Sequence, residues 1–390
     1  MNTSNNTNKK RFNKSALLNC ICFFAALLII PIVTDLMPKK TFSENENRSL
    51  KEFPEFSAKN VSDRSFMRGF EEYFSEHIAG RDYFISLKTR MDMLQGRTEI
   101  NGVYILKERM VEKIGEPDYE SIDKSIAAMN KFAEDNEVPV FFMLLPTSAG
   151  IYSEEIPKNA PNLEQKEFIE YVSNGLSAKI SYIDVYAGLS AAKNEYIYYR
   201  TDHHWTTLGA YKAYAEAGKR MGYTPLPLSS YDIEHAGFDF KGTFHSKALY
   251  GNIEADILAL YHSNSGVNPN LSVTEEIGGE TKVYDSIYFR EFLDKKDKYS
   301  VFLGSNQPIV TITNGNPNGG KLLLIKDSYA HCYAPFLKEH YSEITLIDLR
   351  YIQMAYNTVI NTEDYEQVLI LYNVSTFSQD INLRKLGFQE

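Results

Sequence analysis

Cysteine is nearly missing from this chain: 390 residues contain three, Cys20, Cys22 and Cys332. Three cysteines cannot build a disulfide scaffold, and without a CxxC pair or a Cys/His cluster no structural zinc site is expected. Tryptophan occurs once, as Trp205, which excludes a broad indole stacking platform. An excess of positive charge is also missing. The 41 Lys and Arg stand against 51 Asp and Glu, a net −10 that argues against a nucleic-acid binder. No nucleotide or CoA motif and no internal repeat is visible, so no cofactor is expected. What is present is an ordinary globular composition, 43% hydrophobic and 24% charged, long enough for one large or two modest domains.

The charge is unevenly placed. Lys9, Lys10, Arg11 and Lys14 give residues 1–15 a charge of +4, so the other 375 carry −14. Residues 16–33 then form an apolar run of 18, interrupted only by Asn19 and Pro31. As a helix this run spans about 27 Å, close to the ~30 Å of a bilayer's hydrocarbon core. A basic tail before an apolar run is the layout of a signal sequence or signal anchor. No A-x-A-type site follows, and 17–20 (LLNC) lacks the small residues of a lipoprotein site. An uncleaved transmembrane anchor over 16–36 is therefore expected. The Lys/Arg bias places the 1–15 tail in the cytoplasm and the large domain outside the cell membrane.

Residues 37–118 read as a polar stalk followed by a helical region, with an interruption at 79–81 that divides 65–94 into two helices. Residues 119–135 repeat Ile122, Ile126, Met129 and Phe132 at helical spacing. Five short apolar runs follow, at 138–145, 180–186, 321–325, 344–349 and 368–372, with helical segments at 162–179, 207–221 and 330–340. Continuous rather than alternating apolar runs suit a parallel sheet covered on both faces. The expectation is an α/β sandwich with a five-stranded parallel sheet, in two halves, 119–223 and 321–390. Residues 224–320 between them read as a β-rich insertion, with β-like stretches at 282–289, 299–303 and 309–313.

Three polar constellations fall at the ends of these runs. Tyr199 to Thr206 (YRTDHHWT) precedes a helix for which Thr206 or Thr207 is a good N-cap. Asp202 and His204, two apart in an extended loop, can share one side, the carboxylate fixing the imidazole tautomer while the other ring nitrogen faces a nucleophile. Ser328 stands where a buried strand meets a helix, at the carboxyl edge of a parallel sheet, where its N–H can meet an oxyanion. Taken alone, Ser328 reads as an N-cap and Asn373 as a turn former. Asp202, His203 and His204 could also be metal ligands, with His245 or His331 completing the set, although no spacing supports it.

Thr201-Asp202-His203-His204-Trp205 resembles the signature of the bacterial DHHW protein family, which is similar to the SGNH hydrolase-like O-acetyltransferases of alginate biosynthesis. Phe42-Ser43-Glu44-x-Glu46-Asn47-Arg48, Phe53-Pro54, Gly80-Arg81-Asp82, 326–329 and 347–351 resemble further segments of that group. The resemblance implies a permuted SGNH-like three-layer sandwich. The 321–325 strand is then central, flanked by the 344–349 and 368–372 strands, with 138–145 and 180–186 beyond the latter. It implies Ser328 as nucleophile, His204 as base, Asp202 as its orienter, and Asn373 with the Ser328 N–H as oxyanion donors. His203, Trp205, Arg200, Tyr199, Lys326, Arg350 and Tyr351 become candidate substrate contacts, with a solvated cation as the alternative for Lys326. The chain departs from the SGNH pattern in placing Lys326-Asp327, not Gly-Asp, before the serine, and no glycine fills the second oxyanion position.

The activity implied is serine-dependent transfer of an acetyl group to a cell-envelope or exported polysaccharide, supplied by a membrane-bound O-acyltransferase partner. A carbohydrate esterase, and a non-catalytic glycan-binding or assembly protein on the same scaffold, stay open as alternatives.

Overall fold

The computed structural model describes residues 14–43, 48–275 and 277–388. The chain divides into two compact units, 1–91 and 92–390.

In the first unit, Lys14–Leu36 is one 23-residue helix, long and apolar enough to cross a membrane. Most of the basic tail, residues 1–13, and residues 44–47 of the FSExENR segment lie outside the described residues. Ser65–His77 and Arg81–Leu94 are separate helices. The break between them falls at Gly80, whose φ of +74° is a conformation glycine adopts without penalty. Phe53 meets Phe66, Phe70 and Tyr73 edge-on, in an aromatic cluster that stays partly exposed.

The second unit is built on one large sheet. Its strands are β1 (Val140–Leu145), β2 (Ile180–Tyr182), β3 (Asn270–Thr274), β4 (Thr281–Tyr284), β5 (Ile309–Thr313), β6 (Lys321–Lys326), β7 (Glu343–Ile347) and β8 (Gln367–Asn373), in spatial order β4-β3-β5-β7-β6-β8-β1-β2. The sheet is thus eight-stranded and mixed, which corrects the expected five-stranded parallel one. Pairing is parallel from β7 to β2 and antiparallel from β4 to β7. The extra strands come from the insertion, where β5 adds to the free edge of β7. An edge strand left open exposes a row of unpaired backbone groups, and β5 satisfies them.

Side chains alternate across the sheet. Phe141, Met143, Leu145, Leu322, Leu324, Leu369 and Leu371 join one core with the Thr207–Met221 and Ala330–Leu337 helices. Phe142, Leu144, Leu323, Ile325, Val368 and Ile370 join the other, against Tyr119–Asp135 and Gln165–Asn174. Helices on both faces explain why these strands read as unbroken apolar runs.

Within 224–320, the strands Tyr231–Phe240 and Asp256–Ser263 pair as an irregular antiparallel ribbon that sequence periodicity did not reveal. Two β-like stretches are corrected. In 282–289 only the end of β4 is strand, and in 299–303 the backbone begins as the 3-10 turn Lys298–Val301.

Candidate active site

Residues 198–206 fold into a narrow loop beside the carboxyl ends of the parallel strands. Tyr198 and Trp205 form an isolated antiparallel bridge, and Thr206 N–H donates to Ile197 O at 3.0 Å. Thr206 then caps the Thr207–Met221 helix, its Oγ1 accepting from Gly209 N–H at 3.3 Å. The loop and helix approach so closely that a Cβ on residue 209 would lie 2.2 Å from Ile197 O. The buried Asp256 carboxylate holds the start of the loop, accepting from Arg200 N–H at 2.7 Å, Thr201 N–H at 2.8 Å, and the Thr201 and Tyr196 hydroxyls at 2.5 Å each. Four donors offset part of the cost of burying that carboxyl group, but burial outweighs them and raises its pKa. Trp205 ties the loop to the serine turn by donating Nε1–H to Tyr329 O at 3.0 Å.

Beyond β6, Asp327 leads into the turn that presents the half-buried Ser328 ahead of the Ala330–Leu337 helix. Ser328 Oγ does not cap that helix; it lies 2.8 Å from His204 Nε2. His204 Nδ1 lies 2.6 Å from Asp202 Oδ1, which also accepts the His204 N–H at 3.0 Å. Asp202 Oδ2 accepts from Thr243 N–H at 2.8 Å. The neighbouring Gly242 leaves no room for a side chain, since a Cβ there would sit 2.5 Å from Asp202 Cγ. Tyr299 stacks flat on the His204 ring, centroids 3.6 Å apart at 9°, and its hydroxyl donates to Ser328 O at 3.2 Å.

His203 Nδ1 is 2.8 Å from Thr243 Oγ1 and 3.5 Å from Asp202 Oδ1, and its ring centroid lies 3.7 Å from that of His204. The two imidazoles therefore share one carboxylate and titrate as a pair. Burial raises the pKa of Asp202, but the charges and hydrogen bonds of both imidazoles hold it well below the ordinary carboxylate range. Burial also disfavours the cation of His203, yet Asp202 outweighs it and the group is raised. Burial, and then the charge of His203, push His204 down to about 4 against the opposite pull of Asp202. The pair's first proton goes to His203. His204 stays neutral, with Nδ1–H toward Asp202 and the Nε2 lone pair toward Ser328 Oγ–H.

Several expected substrate contacts are corrected by burial. Trp205, Tyr199 and Lys326 are fully enclosed. Tyr199 packs edge-on against Phe240 and Tyr299. Lys326 is neither at the surface nor solvated: Nζ lies 2.8 Å from His331 Nε2 and 3.4 Å from Asp348 Oδ2. Burial lowers its pKa, and burial together with the Lys326 charge holds His331 well below the usual histidine range. Arg200 lies over the Tyr196 ring at 4.8 Å and lines a separate cavity of about 300 Å³ with Arg109, Tyr152 and Lys193. His203, Arg350 and Tyr351 are partly or well exposed. Arg350 makes a two-point pair with Asp348, Nε to Oδ1 at 2.8 Å and Nη2 to Oδ2 at 2.6 Å.

Asn373 sits at the expected sheet edge but has its donors committed. Nδ2 donates to Asp327 Oδ2 at 2.6 Å and to Thr376 Oγ1 at 2.8 Å, and Oδ1 accepts from Thr376 N–H at 3.0 Å. It caps the Val374–Phe377 turn and anchors Asp327. Asp202, His203 and His204 bring potential ligand atoms within 4.8 Å of one another. His331, one of the histidines expected to complete such a set, is instead bonded to Lys326.

Sequence reasoning passed over Gly242, Thr243, Asp256 and Tyr299, all in the insertion. Only Asp256, an acid opening an apolar run (DILALY), carried a signal there.

A model of the DHHW protein family matches residues 99–347. No curated protein matches the chain. Among solved structures, a DHHW family protein from Eubacterium siraeum superposes with a TM-score of 0.63 at 27% identity, over 74% of this chain and 95% of that one. Bacillus cereus PatB1 gives 0.63 at 21% identity, over 72% and 98%. The same protein with a sulfonyl adduct gives 0.60 at 21%, over 73% and 99%.

Proposed function

The chain belongs to the DHHW protein family, and we propose that it is a serine-dependent O-acyltransferase that places acetyl groups on a cell-envelope or exported polysaccharide. The observation that carries this reading is the continuous chain from Asp202 through His204 to Ser328, with links of 2.6 and 2.8 Å. Three such groups in line are the apparatus of nucleophilic acyl transfer, and a glycan-binding protein has no use for them.

In the first half-reaction, Ser328 Oγ bonds to the acyl carbon and its proton passes to His204 Nε2. The carbonyl π electrons move onto oxygen, which the Ser328 N–H meets. That N–H has no protein partner among the described residues. Asp202 stabilises the imidazolium that forms. As the tetrahedral centre collapses, the leaving group departs with the His204 proton. In the second half-reaction a sugar hydroxyl gives its proton to His204 and attacks the acyl-serine; as the acyl–Oγ bond breaks, His204 returns that proton to Ser328 Oγ.

The acetyl group and the polysaccharide acceptor come from the resemblance of the Asp202–Trp205 segment to O-acetyltransferases of that kind. The Lys14–Leu36 helix suits a single-pass cell-membrane anchor with the 92–390 unit outside, where a membrane-bound O-acyltransferase would supply the acyl group. Water in place of the sugar makes the same site an esterase. The test is to give the full chain, in detergent, a chemical acetyl donor with and without polysaccharide oligomers. Ser328-dependent acetylation of an oligomer supports transfer; donor hydrolysis that no oligomer diverts contradicts it in favour of the esterase.

A further inference from the structure

We infer that Arg350 is the second oxyanion donor of this site, taking the place expected for Asn373. The inference rests on the acyl-transfer reading above and adds a residue to it.

An oxyanion needs preorganised donors, typically more than one. The Ser328 N–H is one. Asn373 has no proton left to give, because both are bonded to Asp327 and Thr376. Turning it toward a substrate would strip a donor from Asp327, a fully buried carboxylate that also accepts the Asn373 N–H at 2.7 Å and the Tyr329 N–H at 2.9 Å.

Arg350 approaches from the other flank of β6. In the parallel β6/β7 pair Ile325 is in register with Ile347, so Ser328 and Arg350 each stand three residues beyond a paired couple, on neighbouring strand ends. The guanidinium is aimed rather than free. Asp348 holds it at two points, 2.8 and 2.6 Å, and also accepts the Arg350 N–H at 3.2 Å. Nη1 is left without a bond among the described residues, on a side chain 29% exposed. The Arg350 charge acts on both neighbours of the serine, lowering His204 on one side and opposing the burial that raises Asp327 on the other.

The arrangement also accounts for the residue before Asp327. A lysine there reaches under the turn to Asp348 at 3.4 Å, adding a buried positive charge beside the carboxylate that aims Arg350. Burial raises the Asp348 pKa, but the Arg350 bond and the Lys326 charge outweigh it and keep the group ionised. A glycine at 326 could not do this.

The experiment compares acylation of full chain in detergent by 4-nitrophenyl acetate for wild type, Ser328→Ala, Arg350→Met and Arg350→Lys. Binding of phenylboronic acid, whose serine adduct carries a negative tetrahedral oxygen, is measured alongside. Arg350→Met is expected to lower kcat about 100-fold with KM within about threefold, and to weaken boronate binding in step. Arg350→Lys, which keeps the charge but loses the fork, is expected to fall about tenfold in both. A role in folding alone would lower the melting temperature without this kcat and boronate signature. Folded Arg350→Met acylating at the wild-type rate overturns the inference. Should that variant not fold, Arg350→Lys with unchanged kcat and boronate affinity overturns it. Wild type that never acylates at Ser328 brings down the acyl-transfer reading itself, and this inference with it.

Discussion

The parallel strands β1, β2 and β6–β8 and the 224–320 insertion meet around one histidine, and they contribute different things. The parallel strands other than the edge strand β2 are buried on both faces, and the loops at the carboxyl end of the sheet bear Asp202, His204 and Ser328. The insertion strands are half-buried, β3 and β5 alternating between core and surface. Yet the insertion supplies the Thr243 N–H and the Gly242 clearance that seat Asp202, the Asp256 carboxylate that fixes the loop, and the Tyr299 ring that covers His204. On the proposed mechanism, one region presents the reacting groups and the other sets their orientation and dryness. Triad chemistry depends on both, because a base a fraction of an ångström out of line loses its advantage.

Removing a reacting group should cost most. Asp202→Asn keeps the size of the side chain but offers His204 an amide in place of a carboxylate. It is expected to lower kcat by about 10³ to 10⁴ with little change in KM, read by steady-state kinetics on an acetyl ester. A loss below tenfold would put the weight on the insertion instead.

Gly242→Ala attacks the insertion's side of the contact. The added methyl collides with the Asp202 carboxylate, so a stability loss of about 1–3 kcal/mol is expected by denaturant titration, together with a large loss of acylation. Wild-type activity would show that Asp202 does not need this seat.

These two variants mark where the sequence was legible. The apolar runs of β1 and β6–β8 stand out because both faces are covered, and the DHHW segment and Ser328 stand out because chemistry-bearing residues fall at strand ends. The supports were hidden for physical reasons. Gly242 acts by having no side chain, Thr243 by a backbone N–H, and Tyr299 is one of 27 tyrosines in the chain. The ribbon Tyr231–Phe240 with Asp256–Ser263 has register shifts that break its period. Burial misled in the other direction. Trp205, Tyr199 and Lys326 lie beside the site in sequence but point into the core, and nothing in a linear pattern distinguishes a polar group facing substrate from one facing a buried partner.

His203→Gln is expected to act through pH. Burial, and after it the His203 cation, push His204 down to about 4. A neutral base is therefore present above that value and is lost as pH falls through it, so the acid limb of kcat/KM should lie near pH 4. Removing the neighbouring cation should move that limb upward, toward the ordinary histidine value of about 6.5. An unmoved limb would mean that burial alone sets it. The smallest effect is expected from Tyr299→Phe, which keeps the stacked ring and loses the hydroxyl's contacts with Ser328 O and the buried Cys332 Sγ. A stability loss of about 1 kcal/mol and a fall in kcat of less than tenfold should appear in melting and kinetic assays.

The most direct measurement is intact-protein mass spectrometry of the full chain after exposure to an acetyl ester or a sulfonyl fluoride, with the adduct located by peptide mapping. A triad centred on Ser328 predicts one adduct, on Ser328, formed fast in the wild type and abolished by His204→Ala. No adduct, or an adduct on Ser328 that forms equally fast without His204, would contradict it.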